Sequence, residues 1–100
     1  MPVEVLFEQL SPAADRLGVN IRWPAGGEFK SELLGQVFLV EHADGHATVV
    51  CCDFSKIEPF AAGLLERGYG YATLEAGVDR RDDASIREMF EEWGVLSPSK

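Results

Sequence analysis

The sequence predicts an α+β fold: one small domain with a mostly antiparallel sheet of three to four strands, packed by two to three helices. Three observations carry that expectation. The chain has 100 residues, 46% of them hydrophobic, enough for one self-supporting core and too few for two. Two apolar runs, 37–42 and 47–54, flank Asp44-Gly45, and Asp-Gly between apolar runs is the strongest short-range hairpin signal. Ile86, Met89, Phe90 and Trp93 form an apolar stripe at helical spacing, the pattern of a helix with one face on a core. The full order predicted is α-β-β-β-α-β-α, as a single domain over 1–100 with a frayed tail at 96–100.

From the N-terminus, Val3, Leu6, Phe7, Leu10, Ala14 and Leu17 recur at helical intervals. Pro12 interrupts them, because proline removes a backbone donor and crowds the preceding turn. Three readings are open: one helix kinked near Leu10, two elements with Ser11 capping a second helix, or a strand over Val3–Phe7. Gly18 is placed to end the helix. Residues 19–23 alternate apolar and polar and read as a strand, stopped by Pro24, Gly26 and Gly27. Residues 29–35 read as a loop or a single helical turn.

The hairpin follows. A two-residue type I′ turn at Asp44-Gly45 pairs His42 with Ala47, Val40 with Val49 and Phe38 with Cys51. One face then carries Phe38, Val40, Val49 and Cys51; the other carries Val37, Leu39, Val50, Cys52 and Phe54. Both faces are apolar, so the strands are central and covered on both sides, either by helices of this chain or by a second copy. Ser55 or Glu58 caps the next helix, which runs through Leu64 and Leu65 to Arg67 and closes at Gly68. Residues 69–75 alternate as a further strand. The final helix begins at Asp82–Ser85 and ends at Gly94.

Charge and cysteine usage narrow the function classes. Seventeen acids against nine bases leave a net −8, which opposes a phosphate-tracking surface built from clustered Lys and Arg. No apolar run approaches a membrane span, and the N-terminus lacks the basic start of a signal peptide. The only cysteines, Cys51 and Cys52, are adjacent; they read as reduced structural thiols on opposite faces of a strand rather than a staple. These features point to a cytoplasmic protein.

The short motifs argue against more specific chemistry. Gly26 to Ser31 lacks the glycine before Lys30-Ser31 that a phosphate-binding loop requires. Residues 10–20 resemble the start of a helix-turn-helix, but Pro24, Gly26 and Gly27 occupy the place of a recognition helix. His42, His46, Cys51 and Cys52 lie close in sequence, yet the hairpin separates histidines from cysteines by more than ~12 Å, far beyond one metal's reach. No catalytic group, cofactor or metal site is therefore expected.

What remains is a surface. The final helix carries Asp82, Asp83, Glu88, Glu91 and Glu92 against Arg87 alone, and Glu91 and Glu92 oppose the helix dipole. Trp23, Tyr69 and Tyr71 stand beside glycine or proline, where aromatics serve as interface anchors. The expected function is that of a small acidic module docking on a larger, basic or nucleic-acid-handling protein. Inhibitors, immunity proteins, antitoxins and anti-defence proteins, anti-CRISPR proteins among them, share that build. The alternative is a dimeric small-ligand-binding or regulatory α+β domain. Direct nucleic-acid or membrane binding is not expected.

Overall fold

A computed structural model of the chain describes residues 3–74 and 82–97. The elements are α1 (Val3–Leu17), β1 (Asn20–Arg22), β2 (Val37–Glu41), β3 (Ala47–Cys51), α2 (Phe54–Ile57), α3 (Ala61–Glu66), β4 (Tyr69–Thr73) and α4 (Asp83–Glu92), with a 3-10 turn at Glu58–Phe60 joining α2 to α3. They form a single α+β domain. The strands lie in chain order, β1-β2-β3-β4. β1–β2 and β2–β3 are antiparallel, and β3–β4 is parallel. The sheet is therefore mixed. The parallel step follows from chain length: α2 and α3 carry the chain back along the sheet, the crossover that parallel pairing requires.

α1 runs unbroken through Pro12. Pro12 and Glu8 are both exposed, so water can satisfy the Glu8 carbonyl that proline leaves without a donor. The buried side, Val3, Leu6, Leu10, Ala13 and Ala14, lies opposite. α1 and α4 end the same way. Val19 N–H reaches back to the Ala14 carbonyl (2.8 Å), and Val95 N–H to that of Phe90 (2.8 Å). The glycines between, Gly18 and Gly94, have φ of +74° and +78°. This is the Schellman closure, and both valines it turns inward are buried. α2 is capped by Asp53, two residues before Ser55 and five before Glu58, the caps expected from the sequence, because its carboxylate accepts from the Ser55 N–H (3.0 Å).

The hairpin differs from the expectation by one residue. Val40 pairs with Thr48, Leu39 with Val49, Phe38 with Val50 and Val37 with Cys51. The turn is a three-residue loop, Ala43-Asp44-Gly45, closed by His42 N–H to the His46 carbonyl (2.8 Å) and Gly45 N–H to the His42 carbonyl (3.2 Å). Type I′ needs positive φ at Asp44, whereas only glycines have it among the described residues. Asp44 instead accepts the His46 N–H (3.0 Å), an Asx turn that holds it in ordinary φ, and Gly45 (φ +93°) takes the left-handed position. A one-residue slip exchanges the faces of a whole strand. Phe38, Val40 and Val50 thus share one face, and Val37, Leu39, Val49 and Cys51 the other.

The chain's own helices cover both faces. α1 and α4 close over Phe38, Val40 and Val50. α2, α3 and the 29–33 turn close over Val37, Leu39, Val49 and Cys51, with Phe29, Leu33, Ile57 and Leu64 as the contributed side chains. The apolar hairpin that motivates a homodimer in the sequence is buried within one copy.

Candidate functional site

The three-layer arrangement sorts charge that is evenly spread along the chain. Each half of the sequence carries −4. In space, the layer of α1 and the segment 82–93 bears Glu4, Glu8, Asp15, Asp82, Asp83, Glu88, Glu91 and Glu92 against Arg16 and Arg87, a net −6. The apolar stripes of both helices face the sheet, so these acids are forced outward. Glu4, Glu8, Asp15, Glu88 and Glu92 are exposed.

Asp82 and Asp83 have local work. Asp82 caps α4, accepting from the Ser85 N–H (2.7 Å), which holds its carboxyl below the ordinary range. Asp83 makes a two-point pair with Arg16 (2.7 and 2.6 Å), which links α4 to α1 and lowers the Asp83 pKa. Glu88 and Glu92 project from the surface, while Glu91 is half-buried.

The acidic layer ends in a depression at the hairpin turn, where α1 and α4 both terminate. One part of it, about 370 Å³, is lined by His42, Asp44, Glu91, Val95 and Leu96 among others. An adjoining part of about 340 Å³ adds Gly18, Val19 and Glu41. Two helix C-termini point their negative ends here, beside carboxylates from the hairpin and α4. His42 bonds through Nε2 to the hydroxyl of Thr48 (2.7 Å), the one buried polar side chain of the described core. Burial pushes the His42 pKa down. The depression therefore combines apolar lining with negative potential, a chemistry suited to the stem and head of a partner's Lys or Arg.

The aromatics do not join this surface as a group. Trp23 stacks on Phe7 (4.6 Å) and meets Phe38 edge-on, on the α1 side and 36% exposed. Tyr69 and Tyr71 project to the opposite face, because their β3 neighbours are Ala47 and Val49. Tyr71 lies against Phe54 (5.9 Å) and both are exposed. Tyr69 is committed to a network missed by sequence reasoning. Its hydroxyl donates to Glu28 (2.9 Å), which also accepts twice from Arg22 (2.9 and 3.0 Å) and once from the Ala25 N–H. Glu28 thereby ties both edge strands to the 24–36 connection across the small Ala47. The Arg22 guanidinium is the main cause that holds the Glu28 carboxyl at about 2, against an ordinary 4.5. No sequence motif marks this trio; only the packing of the connection over the sheet brings it together.

The histidines and cysteines occupy opposite ends of the hairpin, and no group of three or more His, Cys, Asp or Glu among the described residues is placed to hold a metal ion. Cys51 is fully buried, and burial raises its pKa. Cys52 is half-buried against the other core. With a disulfide reagent, Cys52 should label first and Cys51 only on unfolding, since reaction requires access and thiolate. Mass spectrometry of time-quenched samples checks the order, and rapid native labelling of Cys51 would contradict its burial.

No helix among the described residues is long and apolar enough to cross a membrane. Comparison with protein-family models, with curated proteins and with solved structures finds no match to this chain.

Proposed function

We propose that this protein is a binding module that docks on a basic protein partner through the outer surface of α1 and α4. The observation that carries the reading is the net −6 on that layer, out of −8 for the chain. Such a field steers encounter and raises association rates, more than it adds to final affinity. The depression at the turn supplies the complementary anchor. A long cationic side chain of the partner lays its stem on Val95 and Leu96 and brings its head toward Glu41, Asp44 and Glu91. A partner evolved to hold nucleic acid presents such cations in clusters, so the nucleic-acid-handling proteins are the favoured class, bound in the manner of an inhibitor or antitoxin. Trp23 borders the same side of the sheet and extends the contact. Tyr71 faces the other side and is left out.

Reversing Glu4, Glu8, Glu88 and Glu92 to Lys turns the layer from net −6 to net +2. All four are exposed, so each change should move stability by only about ±0.5 kcal/mol. The immobilised native chain should retain a basic protein from a lysate of its source at low ionic strength and release it at high. The reversed variant should retain none of it, and the purified partner should associate with it more slowly. A folded variant that captures the same protein at the same rate would refute the acidic docking face.

A further inference from the structure

We propose that the groove between α3 and the 29–33 turn binds a small organic carboxylate: a single ring or short chain bearing one anionic group. The groove, about 240 Å³, lies on the side of the sheet opposite the acidic layer and does not depend on the docking reading. Phe29 forms one wall, and Phe60 and Leu64 the other, with Gly63 between them. The volume is below the ~300 Å³ at which sites for drug-sized ligands begin, which limits the occupant to one compact apolar group.

Two observations point to a ligand rather than a packing defect. The first is charge. In a chain of net −8, the groove is lined by two cations, Lys30 and Arg67, and by no carboxylate. The Arg67 guanidinium is held in place: it donates to the Glu28 carbonyl (2.8 Å) and lies over the Phe29 and Tyr69 rings (5.4 and 5.2 Å). One of its five N–H donors is spent there, and the rest suit an anion. The Lys30 ammonium has no ion-pair or hydrogen-bond partner among the described residues. The second observation is Gly63. Glycine inside a helix is destabilising relative to alanine, and here nothing in the fold asks for it. Its φ is not positive, and a Cβ built on it meets no atom within 4 Å. A side chain at 63 would enter free space, so its absence keeps the groove open.

The test is a titration of the full-length protein with 4-phenylbutanoate and, separately, with the neutral 4-phenylbutanol, read by amide chemical shifts. Saturable shifts confined to residues 29–33 and 60–67 are expected, with the carboxylate bound about tenfold more tightly than the alcohol, the worth of one charge-assisted contact. Gly63→Leu should abolish both while its melting temperature stays at or above that of the native chain. Lys30→Gln, an exposed change that leaves the core intact, should weaken the carboxylate alone and serves if the leucine variant fails to fold. Absence of saturable shifts, equal affinity for the alcohol, shifts elsewhere on the surface, or binding that survives in a folded Gly63→Leu protein would each overturn the proposal.

Discussion

Phe90→Ala should cost about 3–5 kcal/mol of folding stability, the range for truncating a buried phenylalanine. Phe90 is fully buried, where α4 meets α1 over the sheet, and its ring packs at 5.8 Å from that of Trp93. Alanine removes both the transfer free energy of the ring and its contacts, and the surrounding core cannot collapse to fill the space because it is anchored to strands on one side. A domain of this size has about 5–15 kcal/mol in total, so the variant should unfold at much lower urea with an unchanged slope. In thermal melts each kcal/mol corresponds to about 4–8 °C for a domain of this length. Glu92→Ala on the exposed side of the same helix should stay within about ±0.5 kcal/mol. A Phe90→Ala loss below about 1 kcal/mol would mean that α4 does not pack as described.

Glu28→Gln should produce the largest effect outside the apolar core, and one that depends on pH. The Glu28 pKa is depressed from 4.5 to about 2, so its ionised form stabilises the fold fully above pH ~4.5 and progressively less as pH falls toward ~2. The side chain is 14% exposed, but that of Arg22 is 35%. Partial screening of the pair reduces the contribution to about 1–2 kcal/mol. Gln keeps the shape while removing the charge that Arg22, Tyr69 and the Ala25 N–H share. The stability difference between native and variant should therefore be full at pH ~6 and vanish by pH ~2. Urea unfolding across that range measures it, and a constant difference would show that the loss is steric rather than ionic. The other depressed carboxylates, Asp44, Asp53, Asp82 and Asp83, are common to both proteins and cancel.

The candidate site was half legible. The acids of the 82–93 segment are readable because five of them stand within eleven residues against Arg87 alone, and Glu91 and Glu92 oppose the helix dipole. Those of α1, Glu4, Glu8 and Asp15, were visible only as the polar side of an amphipathic helix, and nothing local reveals that α1 lies beside α4. Asp82 and Asp83, readable as docking charges, are engaged within the fold. Asp82 bonds a neighbour three residues away, a signature present in the sequence. Asp83 bonds Arg16, 67 residues distant, which no local pattern encodes.

Local physics in the sequence is enough for α4, for the glycines that end α1 and α4, and for the apolar runs of β2 and β3 with a turn between. Around Pro12 it left a kinked helix, two elements and a strand open, and the packed structure shows one helix over Val3–Leu17. The sequence also determined that both hairpin faces would be covered. Only tertiary structure decided which residue faces which core. The Ala43-Asp44-Gly45 loop and a two-residue turn use the same glycine and differ in whether Asp44 accepts the His46 N–H. That single bond sets the register, and with period two the register sets every face. Tertiary structure likewise decided that helices close both faces, that evenly distributed charge gathers on one layer, and that Glu28 joins Arg22 to Tyr69 across the sheet. These contacts are long-range, and their partners are selected by the shape of the folded core rather than by neighbours in the chain.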